Sequence, residues 1–406
     1  MTQMKKQQKD FLDWEFGVFF HFGIRTFNEG HRDWDLKPMA LSSFNPPELD
    51  CEEWIRAVRD AGAAYAILVT KHHDGFANWP SAYTEYSVKN TPWKDGKGDV
   101  VREFVDACRK YGIKVGLYYS PAQFGGAECT PEEYDDYFIN QVKELLLNYG
   151  TIDYLWFDGN GSHNMRYNTA RIIGEIRKCQ PNILIFNMWD PDTRWVGNES
   201  GVAHSPNKLT VGSLDVCINN DIKDLLDPPR CLPVECDCRM RQHNWFYSDR
   251  DVQTVKSLDE LMGLYYYSVG RGANLLLNIG PDRRGKLPPE DKAALLRFGE
   301  KIREVFSDFI PCEQTQEGQT LTLDMEAQLI NQVILAEEPD PNCEIGHFEI
   351  RAYPYEYGPP VTVFHGTSIG HKTICMFPTL KTCRVDVIFD QPKKVTAKVQ
   401  YRPMFL

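Results

Sequence analysis

Ile152-Asp153-Tyr154-Leu155-Trp156-Phe157-Asp158-Gly159 runs from an apolar stretch into one carboxylate and then a glycine turn. That is how a buried parallel strand presents an acid at its C-terminal end. Four other apolar runs end the same way. Residues 16–20 lead to His21, and residues 65–70 lead to Lys71-His72-His73-Asp74. Residues 113–117 lead to Tyr118-Tyr119-Ser120, and residues 183–186 to Asn187. Amphipathic, helix-length segments alternate with them, at 51–61, 99–111, 131–149 and 164–179, and later at 258–267 and 288–306. Strand alternating with helix predicts βα repeats, and an eight-fold barrel is their simplest closure. Polar groups gathered at successive strand ends then lie on one rim, which is where such barrels work.

Local signals support these boundaries. Thr130 with Glu133 forms a capping box around Pro131, and Asp50 with Glu53 repeats the logic. Gly62, Gly112 and Gly150 each follow a helix, where a left-handed residue is wanted. Residues 190–233 break the rhythm with prolines and no helix pattern, so a distorted barrel with long loops is expected there. Residues 273–279 read as the last barrel strand. Beyond about 311 the pattern changes to short alternating runs at 332–336, 347–352, 361–365, 372–376 and 384–389. These predict a small antiparallel β-sandwich. The organisation is therefore a (β/α)8-like catalytic barrel over 1–310 and a sandwich over 311–406.

Composition narrows the partners. A net charge of −12 disfavours nucleic acid and anionic membrane surfaces, which both attract a basic face. No apolar run approaches the ~20 residues that span a bilayer. The N-terminal segment is basic but lacks an apolar core, so a cytoplasmic location is expected unless a leader was trimmed before residue 1. Twelve cysteines are scattered without a Cys-x-x-Cys pair, and read as small buried hydrophobes rather than ligands.

Asp158 is either a nucleophile or a strand-end acid that caps the next segment. Trp156, two residues earlier, shares its side of the strand, and a tryptophan face beside a carboxylate suits a sugar. His72-His73 would serve zinc, given a third or fourth ligand, or would hydrogen-bond a polyol with no metal.

Taken together, the motifs resemble α-L-fucosidases of glycoside hydrolase family 29. The matching blocks are Phe19-Phe20-His21-Phe22-Gly23, Thr70-Lys71-His72-His73-Asp74-Gly75-Phe76, Trp79-Pro80-Ser81 and Trp156-Phe157-Asp158-Gly159. Trp93 to Val101, Arg194 to Glu199, Val234-Glu235, Trp245-Phe246-Tyr247 and Leu275 to Ile279 extend the match in order. The blocks around Glu199 and Trp245 are similar to the subgroup that prefers branched α-1,3/1,4-linked fucose.

The resemblance implies a retaining exo-fucosidase that needs no cofactor and no metal and acts on fucosylated oligosaccharides or glycans. Asp158 would be the nucleophile and Glu199 the acid/base. Glu235 is its competitor for that role, or a ligand-binding acid. Glu199 is preferred because a loop acid serves as a mobile proton donor. His21, His72, His73, Trp34 and Trp156 would bind the sugar. Tyr119 would join them, with Tyr118 as the alternative of that pair. Trp245 or Phe246 would meet the fucose methyl. The family usually carries Glu-Trp where this chain has Asp33-Trp34, so Asp33 is the departure that touches fine specificity. The competing readings are a broader α-L-glycosidase, a metal hydrolase using His21, His72 and His73, and a non-catalytic sugar-binding protein.

Overall fold

The computed structural model describes residues 4–30, 37–122, 129–162, 165–216, 223–338, 340, 344–354 and 358–403. In chain order, α1 (Lys6–Trp14) enters β1 (Phe16–Phe20), and regular steps follow through α2 (Cys51–Ala61), β2 (Tyr65–Lys71), α3 (Val100–Tyr111) and β3 (Lys114–Tyr119). They continue through α4 (Pro131–Asn148), β4 (Tyr154–Phe157), α5 (Thr169–Cys179) and β5 (Leu184–Phe186). The irregular part holds β6 (Arg194–Trp195), β7 (Thr210–Asp215), β8 (Lys223–Cys231) and β9 (Val234–Arg239). Regularity returns with α6 (Leu258–Tyr267), β10 (Ala273–Ile279) and α7 (Pro289–Val305).

Eight parallel strands lie in the order β5-β4-β3-β2-β1-β10-β9-β6. A single parallel bridge between Phe186 and Thr193 joins the two ends, so the barrel is nearly closed. The missing regularity has a physical source. No helix is found among the described residues between β5 and β9, and β7 pairs with β8 as a separate antiparallel ribbon.

The helix signals act as expected. The Asp50 carboxylate accepts from the Glu53 N–H, and Gly62 closes α2 at φ 81°. At α4 the Thr130–Glu133 box is formed in both directions. The sequence pattern gave no helix over α1, because its first turn is polar and its cap weak. Tertiary burial decides there. Phe11 plugs the barrel's lower end, 5.3 Å from the Tyr154 ring and 6.0 Å from Tyr65. Burying such a ring is worth about 2–3 kcal/mol.

Strand alternation sorts the side chains into two cores. Phe19, Tyr65, Ile67, Tyr118, Tyr154 and Trp156 fill the barrel interior, while Val18, Phe20, Leu68, Leu117 and Phe157 face the helices. Gly17 is part of this packing, since a Cβ there would sit 2.4 Å from the Tyr65 ring.

The second sheet comprises β11 (Glu313–Glu317), β12 (Thr320–Glu337), β13 (Phe348–Ala352), β14 (Val361–Gly366), β15 (Thr373–Phe389) and β16 (Val395–Gln400). All its pairs are antiparallel, and its inward residues share one core. The runs expected at 372–376 and 384–389 are one strand. Ile330 pairs with Leu380 and Gln332 with Met376, so the chain around Pro378 is accommodated as a bulge rather than a break. This sheet is tied to the barrel where the Ile374 N–H donates to the Gly270 carbonyl and Arg402 Nε donates to that of Val305.

Candidate active site

A cavity of about 560 Å³ opens at the C-terminal ends of the barrel strands. Inward alternation delivers its key groups. Phe19 is followed two residues on by His21, Gly116 by Tyr118, Trp156 by Asp158, and Glu235 by Asp237.

Asp158 is held by donors on both oxygens. The Tyr118 hydroxyl donates to Oδ2 and the Asn160 N–H to Oδ1, each at 2.8 Å. His73 Nε2 lies 3.4 Å from Oδ2. Burial alone would raise the carboxyl, but His73, the Asn160 N–H and His72 outweigh it and hold Asp158 well below the ordinary carboxylate range. It is an anion across the working pH range.

The imidazoles are oriented by what lies behind them. Asn278 Nδ2 donates to the Trp245 carbonyl, so its Oδ1 faces His21 and accepts from Nδ1 at 2.7 Å. Burial and neighbouring His72 push the His21 pKa well below its ordinary value. His21 is therefore a neutral ring with Nε2 as acceptor. Ser120 Oγ donates to the Ala122 carbonyl at 2.9 Å, so His73 Nδ1 donates to Ser120. The Ser120 carbonyl in turn accepts from Lys71 Nζ at 2.8 Å. Lys71 is fully buried above the Tyr119 ring, and burial pushes its ammonium down to about 7. His72 stacks on Tyr118, with ring centroids 5.6 Å apart.

Apolar faces complete the pocket. Trp156 stacks on Phe186 at 4.1 Å and forms the floor. The Trp245 ring is 5.0 Å from His21, and Phe246 meets both His21 and His72 edge-on.

Glu199 lines the same cavity. It sits on a loop, as expected, and that loop is anchored at both ends. Val196 N donates to the Glu235 carbonyl and Gly201 N to that of Asp237, while Ser200 bridges to Cys238. The segment bearing Glu199 is thus laid along β9. Burial raises the Glu199 carboxyl, nearby Asp158 adds to this, and Arg239 opposes it.

Other expectations need correction. Tyr119 points outward, its hydroxyl donating to Gln141 Oε1, so Tyr118 is the pocket tyrosine. Glu235 does not line the cavity. It is wholly buried beneath the floor, accepting from the Tyr65 hydroxyl at 2.6 Å and from Trp156 Nε1 at 2.8 Å. Burial raises it to about 7, and it acts as the support that fixes Trp156. Asp33 and Trp34 lie outside the described residues. Asp237 and Asn278 were missed. Period-two counting from Glu235 along β9, or from Leu276 along β10, would have found both.

His72, His73 and Asp158 bring ligand atoms within 4.8 Å of one another, the one such group among the described residues. Both Asp158 oxygens already accept hydrogens, which suits a hydrogen-bonded carboxylate better than a ligand. Cys231, Cys236 and Cys238 are buried free thiols and belong to no such group.

A family model described as Alpha-L-fucosidase matches residues 1–304. The chain belongs to that family. Among relatives of this alpha-L-fucosidase family chain, Alpha-L-fucosidase 1 of Arabidopsis thaliana is 36% identical over 315 residues, covering 73% of this chain and 60% of that protein. The chain thus spans about three-fifths of the length of the curated plant relatives it matches. A glycoside hydrolase 29 family member from an unknown rumen bacterium superposes with a TM-score of 0.87 at 31% identity, covering 99% of this chain and 78% of that one. The crystal structure of SpGH29 gives a TM-score of 0.88 at 26% identity, with 98% of each chain covered. Both support a barrel with an appended antiparallel sheet.

Proposed function

We propose that this chain is a retaining exo-α-L-fucosidase that removes terminal α-1,3/1,4-linked fucose from oligosaccharides or glycans. The reading is carried by one pocket that holds both Asp158, kept low by the groups around it, and Glu199, whose carboxyl is raised by burial. Two carboxyls with opposed environments are what double displacement uses.

Asp158 attacks the anomeric carbon while Glu199 gives its proton to the departing glycosidic oxygen. Water then enters, Glu199 takes a proton from it, and the ester at Asp158 is broken with a second inversion. Neutral His21 accepts from a sugar hydroxyl, and the Trp245–Phe246 faces receive the C6 methyl. The α-1,3/1,4 preference rests on the resemblance of the Glu199 and Trp245 blocks.

Oligosaccharides carrying single α-1,2, α-1,3, α-1,4 or α-1,6 fucose test this directly. Fucose should come from the α-1,3 and α-1,4 arms, and proton NMR should find the first-formed sugar as the α anomer. First-formed β-fucose would refute retention, and release chiefly from α-1,2 arms would overturn the linkage assignment.

The tyrosine pair gives a sharper expectation. Tyr118→Phe removes a donor to a charged group, worth about 1.5–3 kcal/mol, so kcat should fall roughly ten- to hundredfold. Tyr119→Phe should leave kcat near wild type and lower stability by about 1 kcal/mol. Steady-state kinetics and thermal melts on both variants check it, and an exchange of the two behaviours would reverse the assignment.

A further inference from the structure

Lys71 is a buried cation that the proposed reaction does not use. The pairing of β2 with β3 shifts register between Val69 and Lys71, so the last residue of β2 drops out of the alternation that feeds the pocket. Its side chain has no exposed surface, and Nζ lies 4.4 Å from the centre of the outward-facing Tyr119 ring. Nζ donates to the Ser120 carbonyl at 2.8 Å and to that of Ala122 at 3.4 Å. Burial opposes its charge and Asp74 favours it. An ammonium is costly to bury, and here its donors are spent on two carbonyls of one short segment.

That segment holds His73. Ser120 N donates to the Lys71 carbonyl at 2.9 Å, and Ser120 Oγ donates to the Ala122 carbonyl at 2.9 Å. His73 Nδ1 donates to Ser120 Oγ, and the far side of the same ring, Nε2, lies 3.4 Å from Asp158 Oδ2. Every step from Lys71 to Asp158 is a contact between named atoms.

We propose that Lys71 is a positioning residue for the nucleophile: by pinning the Ser120 and Ala122 carbonyls it fixes the Ser120 hydroxyl as acceptor for His73, which keeps a proton on Nδ1 and Nε2 turned to Asp158. The inference rests on Asp158 being the nucleophile. Lys71 does not line the cavity, so it acts only through Ser120 and His73.

Lys71→Met keeps the stem and removes the donor. Nitrogen NMR of isotope-labelled histidine rings reads the result, with His73 assigned by its loss in His73→Asn. The Nδ1 resonance should leave the protonated range that it occupies in the wild type. Turnover should fall roughly ten- to a hundredfold with an oligosaccharide and an activated aryl fucoside alike, since both react at Asp158. Ser120→Ala should do the same, and adding Lys71→Met to it should cost less than about twofold more. An unmoved Nδ1 resonance, or losses that multiply in the double variant, overturns the proposal.

If Lys71→Met fails to fold, Lys71→Gln substitutes, since its amide offers only a shorter, neutral donor. The same movement of Nδ1 is expected, and an unmoved resonance again overturns the relay. The spectra need no substrate, so they report on the relay apart from the reaction. Failure of the underlying reading looks different, because Asp158→Asn would then turn over near the wild-type rate.

Discussion

Asp158→Asn should lower turnover by roughly ten-thousand-fold or more, on every substrate, with the fold intact. The amide is nearly isosteric and keeps an acceptor for the Asn160 N–H, but it cannot form the glycosyl ester. Its environment argues that the loss is chemical. Tyr118, His73 and His72 converge to stabilise a negative charge there, an arrangement of no use to an acid that merely caps a turn. In Asp158→Ala, which leaves room for an external nucleophile, added azide should restore cleavage of an activated aryl fucoside and yield β-fucosyl azide, since a single displacement inverts the centre. An Asn variant that keeps near-wild-type rate, or an Ala variant that azide leaves inert, would remove Asp158 from the nucleophile role.

Glu199→Gln should show a strong dependence on the leaving group. Cleavage of an α-1,3/1,4-fucosylated oligosaccharide should fall by about 10²–10⁴, because its sugar alcohol departs only with a proton. The first step with a good aryl leaving group should be largely spared. Glu235→Gln should behave otherwise. Its carboxyl is under the floor, holding Trp156 and Tyr65, so both substrates should weaken in parallel through the displaced indole. Pre-steady-state and steady-state rates on the two substrate classes separate these patterns. Leaving-group dependence in the Glu235 variant alone would exchange the roles.

The barrel was legible because its strands are buried on both faces and read as continuous apolar runs, each stopped by a polar group. Asp158, His21, His72 and His73 stand at those stops, and the structure brings all four to one cavity. The tyrosine pair was harder, because both residues of β3 are apolar enough to be buried and only the register against Gly116 and Ile67 tells inward from outward. Glu235 misled for a related reason. An acid within a strand suggests a site, but here its strand places it one layer too deep, where hydroxyl and indole donors replace water. Asp237 is invisible as a motif and obvious as a register position. Helix α1 starts from Lys5, which is not a capping residue type, and the long strand β15 hides its continuity in a proline bulge. In each of these cases tertiary contacts, absent from local pattern, made the decision.

Double displacement would leave a covalent fucosyl ester on Asp158. A fluorinated fucosyl donor with a good leaving group, which slows breakdown of that ester, should add one fluorofucosyl mass to the intact protein. Peptide mapping should place the adduct on Asp158, in the fragment that contains Trp156-Phe157-Asp158-Gly159. An adduct on Glu199, Asp237 or Glu235, or full turnover of the donor with no adduct at any carboxyl, would rule out Asp158 as the nucleophile.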